Sequence, residues 1–109
     1  MDIELGTIIA TRTFELGTDK IVVLIGIPQK FPDGPDYYCP YQINGIGSEK
    51  VRYAGGVDSI QALQLCLNLI SYDLDYYQHE VDYEITWEAG QEKGDLGFPH
   101  LINFDEEAP

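Results

Sequence analysis

The stretch that most constrains this chain is residues 54–70, A-G-G-V-D-S-I-Q-A-L-Q-L-C-L-N-L-I. Asp58 suits an N-cap, because its carboxylate can accept the free backbone N–H groups of a first turn. Gln61, three residues on, can reach back to the Asp58 N–H as in a capping box. The negative charge also sits at the positive end of the helix dipole. Gly55 and Gly56 let the chain turn sharply out of a preceding strand. The pattern predicts a helix over 59–78.

Placing residues about 100° apart around that helix divides its surface unequally. Gln61, Gln64, Asn68, Ser71, Asp75 and Gln78 fall in one polar wedge. Ile60, Leu63, Leu67, Ile70 and Leu74 form one apolar flank, and Leu65, Leu69, Tyr72 and Tyr76 form another. Ala62, Cys66 and Tyr77 lie between, with Asp73 an intruder. One sheet face needs an apolar stripe of only about 100°. Something further should therefore cover this helix: a curled sheet, the C-terminal residues or another protein.

At 109 residues and 44% hydrophobic, the chain can build one core without metal or disulfide support. The expected layout is a single domain over 1–104 and a disordered acidic tail over 105–109. The opening M-D-I-E-L-G has neither a basic region nor an apolar run, so no signal peptide is expected. The longest apolar run, 21–27, is too short to cross a bilayer. Cys39 and Cys66 lie in apolar contexts and are expected as buried, reduced thiols of a cytoplasmic protein.

Before the helix, residues 3–16 read as a long first strand whose alternation changes phase. A bulge near 7–9 accounts for this, as does a strand buried on both faces midway. Residues 16–20 have turn chemistry, and the β-branched run 21–27 reads as a central strand paired with the first. Three prolines and Gly34 make 28–36 a loop. Residues 37–43 follow as a third strand, where Pro40 calls for an edge, a bulge or a strand start. Residues 44–47 are a turn, and 50–54 a fourth strand with Val51 and Tyr53 on one face. After the helix, Val81, Tyr83, Ile85 and Trp87 alternate with Asp82, Glu84, Thr86 and Glu88, the cleanest period-2 pattern in the chain. Residues 101–104 can add a short strand. The order β-β-β-β-α-β predicts an α+β fold: an antiparallel sheet of about five strands carrying one long helix on a face.

Four fragments occur together: Y-Y-C-P-Y-Q-I-N-G at 37–45, A-G-G-V-D-S-I-Q-A-L-Q-L at 54–65, I-T-W-E at 85–88 and G-D-L-G-F-P at 94–99. The set resembles a family of small bacterial proteins known only as a domain of unknown function. The likeness spans roughly 37–99 and implies a bacterial, cytoplasmic, single-domain protein. It carries over no catalytic residue. Cys66 stands where the family pattern leads one to expect a small apolar residue such as alanine, which argues against a thiol role.

No motif carries chemistry by itself. A cysteine nucleophile needs a nearby base, and nothing positive adjoins Cys39 in sequence to lower its pKa. Asp75 and His79, spaced i, i+4, match no calcium loop or zinc pattern, and read as solvated. Residues 94–99 lack the P-loop pattern and read as a packed turn returning Phe98 to the core. The tyrosines Tyr37, Tyr38, Tyr41, Tyr53, Tyr72, Tyr76 and Tyr77 suit either the core margin or an interface. No cofactor or metal is called for.

Charge separates the remaining classes. Nineteen acids against six bases give −13. Residues 1–72 hold eight acids and five bases, and residues 73–109 hold eleven acids with Lys93 alone. Such a field repels nucleic acid and anionic membranes and attracts a basic protein. The expectation is a non-catalytic acidic binding protein that docks a basic partner, such as an immunity protein neutralising a toxin domain. Its docking residues would be Asp73, Asp75, Glu80, Asp82, Glu84 and Glu88, gathered on one acidic surface. The alternatives are a homodimer or larger homo-oligomer burying the apolar helix and, third, a small-ligand protein or enzyme.

Overall fold

Gly17 and Thr18 close a tight turn between strands β1 (Ile8–Leu16) and β2 (Asp19–Gly26), which pair antiparallel from Leu16↔Asp19 outward. These elements belong to a computed structural model that describes residues 2–90 and 94–99. The register slips between Ile8 and Ala10. That bulge, at the site where the hydrophobic alternation changes phase, turns the later apolar residues Phe14 and Leu16 to the core. The first strand begins at Ile8 and not at Ile3.

Strand β2 is central, lying between β1 and β4 (Tyr37–Asn44). Ile21, Val23 and Ile25 are buried on one face of it, while Val22 and Leu24 are half-buried on the other. After Pro28 the chain resumes pairing with β4 as β3 (Gln29–Lys30), which extends the same side of the ladder. The far edge of β4 takes β5 (Arg52–Gly56). Strand β4 is therefore paired on both sides, and Pro40 is not on an edge. It falls between the pairs Ile25↔Tyr41 and Gln29↔Tyr38, opposite the break between β2 and β3. A residue without an N–H is tolerated where the ladder is already interrupted.

The helix α1 (Ser59–Gln78) has the predicted bounds and follows β5 directly. The Gln61 N–H donates to Asp58 Oδ1 at 2.8 Å, and Gln61 Oε1 accepts from the Val57 N–H, one residue earlier than a standard capping box. Gly56 serves a different purpose from the expected turn. A Cβ there would stand 2.5 Å from the Ala62 nitrogen, so glycine lets the helix start lie against the strand.

The helix buries Ala62, Cys66, Ile70 and Leu74, an i, i+4 row facing β4 and β5. Ile70 and Leu74 are fully buried against a sheet core that includes Phe14, Val23 and Ile43, and each contributes about 1.5–3 kcal/mol. Asn68 and Ser71, assigned to the polar wedge by periodicity, are only 2% and 7% exposed. On the second apolar flank Leu65 and Leu69 are half-buried, whereas Tyr72 and Tyr76 stay exposed.

The strand expected over 81–88 shrinks to β6 (Ile85–Thr86), which pairs with the end of β1. The side chain of Gln78 is the physical reason. Its amide donates to the Tyr83 carbonyl at 2.8 Å and accepts from the Ile85 N–H at 2.7 Å, so these backbone groups bond the helix end, not a ladder. Tyr83 is 66% exposed, with its ring over Gly17. The architecture is one antiparallel sheet with one helix on a face, an α+β fold. The expected strand over 101–104 and the acidic tail over 105–109 lie outside the described residues. No helix among the described residues is long and apolar enough to cross a membrane.

Candidate functional site

The C-terminal half of α1 carries two different surfaces, because residues two apart on a helix point about 200° away from each other. Asp75 is exposed on the side away from the sheet, whereas Asp73 is half-buried and accepts a 2.6 Å hydrogen bond from the Tyr41 hydroxyl. The helix then ends at His79, whose ring nitrogen Nδ1 contacts the Asp75 carbonyl at 2.9 Å. That carbonyl is one of the unsatisfied acceptors of a helix terminus, so His79 acts as a cap. Glu80, Asp82, Glu84 and Glu88 follow along the outgoing segment, and all four are exposed. Of the six predicted docking residues, five are solvent-facing and Asp73 turns inward.

Asp73 turns into a cavity of about 540 Å³ between the helix and the open ends of β4 and β5. Its floor is Tyr41, Ile43 and Ile46, and its helix wall is Tyr72, Tyr76 and Tyr77. Lys50 and Arg52 supply positive charge on the sheet side, and Asp73 and Glu80 supply negative charge on the helix side. A second cavity of about 850 Å³ shares Tyr41, Lys50, Arg52, Tyr72 and Asp73, and continues past Leu69 towards Ile3. Burial, and then the Asp73 carboxylate that accepts its hydrogen bond, raise the Tyr41 phenol well above its ordinary pKa. The hydroxyl is thus held as a donor. Sequence reasoning missed Lys50 and Arg52 here. Their signal was faint: two bases at i, i+2 where a strongly acidic chain enters one strand.

The fragments I-T-W-E and G-D-L-G-F-P meet in a second cluster. The Arg12 guanidinium lies 3.8 Å from the Trp87 ring centre and 4.9 Å from that of Phe98. It also donates to the carbonyls of Leu96 and Gly97 at 3.2 and 3.0 Å. Trp87 Nε1 donates to the Asp95 carbonyl at 3.0 Å, and Phe98 packs against Phe14 with ring centres 6.1 Å apart. Gly97, at φ +77°, leaves no room for a Cβ beside the indole. This cluster clasps residues 94–99 to β1, a packed turn as expected, and its groups are engaged with one another.

Cys39 and Cys66 are unpaired, fully buried thiols on β4 and α1. Cys39 Sγ donates to the Gly26 carbonyl at 3.6 Å. A hydrogen bond to Cys39, and then burial, push the Cys66 thiol far up, which disfavours a thiolate nucleophile there. Among the described residues no three His, Cys, Asp or Glu side chains are grouped so as to hold a metal ion.

A family model described as a domain of unknown function, DUF6968, matches residues 10–100. That span includes all but the first two residues of the first hairpin, as well as the four fragments from Tyr37 onward. No curated protein and no solved structure matches the chain.

Proposed function

The chain belongs to the DUF6968 family, and we propose that it is a non-catalytic binding protein whose acidic face docks a basic partner protein. One observation carries this reading. Asp75, Glu80, Asp82, Glu84 and Glu88 are all exposed within one short span that contains no lysine or arginine. Gln78 fixes the backbone of that span at Tyr83 and Ile85, which lowers the ordering cost of binding. Exposed tyrosines at Tyr76 and Tyr83 border the carboxylates and supply the aromatic contact that interfaces favour.

Carboxylates placed this way speed encounter with a basic surface and can occupy a groove built for phosphates without any chemistry. An immunity protein covering the basic substrate groove of a toxin domain is the form of this reading that size and charge favour. The same field disfavours nucleic acid and anionic membranes as partners. The two free thiols fit a reducing compartment such as the cytoplasm.

The test is affinity capture from native lysate, with identification of what is held, using the wild type and the triple variant Asp82→Lys, Glu84→Lys and Glu88→Lys. A basic protein held by the wild type and lost by the variant is the expected result. The same proteins on both columns, or none on the wild type, would overturn the reading. A second reading, a homo-oligomer, draws on the exposed helix residues Ile60, Tyr72 and Tyr76. It predicts a concentration-dependent mass that persists at high salt, which docking a basic partner does not.

A further inference from the structure

We propose that the cavity beside the C-terminal half of α1 binds a small zwitterion with an apolar or aromatic side group, of the free amino-acid class. This goes beyond the docking of a basic protein, and of the docking surface it shares only Glu80 and Tyr76. Four charges line the cavity, Lys50 and Arg52 on the sheet side and Asp73 and Glu80 on the helix side. A purely anionic ligand would meet both carboxylates, and a purely cationic one both bases. A zwitterion satisfies both walls at once, its carboxylate towards Lys50 and Arg52 and its ammonium towards Asp73 and Glu80.

The geometry sets the rest of the ligand. The Tyr41 hydroxyl holds Asp73 in place through a 2.6 Å bond, so this acceptor is oriented before a ligand arrives. Between the charged walls the surface is made of Ile43, Ile46 and the tyrosine rings of the helix. Tyrosine faces also attract an ammonium group, which reinforces the acidic wall. A volume of about 540 Å³ falls in the range of roughly 300–1,000 Å³ typical of small-ligand sites. Lys50 and Arg52 are two of only six bases in the whole chain, and a role in solubility does not require them together at one cavity.

The experiment titrates L-tryptophan into nitrogen-15-labelled protein and follows amide shifts, with L-tyrosine, L-phenylalanine and L-leucine run in parallel. Saturable shifts are expected at Lys50, Arg52, Tyr72 and Tyr76. Tryptamine, which lacks the carboxylate, and indole-3-propionate, which lacks the ammonium, should each bind about tenfold more weakly or worse. Arg52→Gln and Asp73→Asn should each weaken L-tryptophan by about the same factor. The asparagine keeps an acceptor for Tyr41, so folding is preserved. The triple lysine variant of the acidic face should bind L-tryptophan unchanged, which keeps this test separate from the docking test. Absence of saturable shifts with all four amino acids, or equal binding of the two analogues, would overturn the proposal.

Discussion

Asp58 closes the head of α1 with a 2.8 Å bond, its Oδ1 accepting from the Gln61 N–H. Replacing it with alanine leaves a first-turn N–H without its side-chain acceptor. Asp58→Ala should therefore cost about 1 kcal/mol, seen as a lower urea midpoint at unchanged slope. An equal midpoint would mean that Gln61 and water cap the helix without it. Tyr41 gives a second prediction at this scale, in pH. Its folded-state phenol lies above the ordinary value near 10, because it is buried and bonded to a carboxylate. Its contribution to stability is full below about pH 10 and falls as pH rises towards the folded value, since the unfolded chain releases this proton first. Tyr41→Phe should lose less stability than the wild type between about pH 9 and about pH 11. Parallel loss in the two proteins would show that Tyr41 does not carry the difference.

At the scale of elements, α1 could be read from its own residues because cap, periodicity and length all agreed on the same span. The strand over 81–88 was over-read for an equally physical reason. Alternation of apolar and polar residues identifies which side chains avoid water, and not what they pack against. Ile85 enters the core, Trp87 lies under Arg12, and Tyr83 covers Gly17, so three alternate residues serve three different neighbours. The glycines before the helix yield a direct comparison. A Cβ at Gly56 would press on the Ala62 backbone, whereas one at Gly55 would meet Phe31 at an ordinary 3.8 Å. Gly56→Ala should cost about 1–3 kcal/mol and Gly55→Ala markedly less, both measured by chemical denaturation. Equal costs would return both glycines to a plain turn role.

Across the whole molecule, charge was legible in the sequence and its arrangement only in part. The exposed carboxylates from Asp75 to Glu88 are close in sequence, so composition alone could group them. The cavity could not be found that way. Tyr41, Arg52 and Asp73 lie on β4, β5 and α1, and only the packing of helix on sheet brings them around one cavity. Asp73 shows the limit of grouping by sequence, since the helix turns it from its acidic neighbours towards Tyr41. The central claim is that the outward carboxylates form a working surface and not merely a soluble one. Its most direct test is the association rate with the captured basic partner against ionic strength, for wild type and the triple lysine variant. Over a Debye length of about 10 Å at 0.1 M salt, the wild-type rate should fall steeply with added salt. At low salt the variant should associate at least roughly tenfold more slowly, with its stability little changed. A salt-independent rate, or a variant that associates as fast as the wild type, would contradict the account.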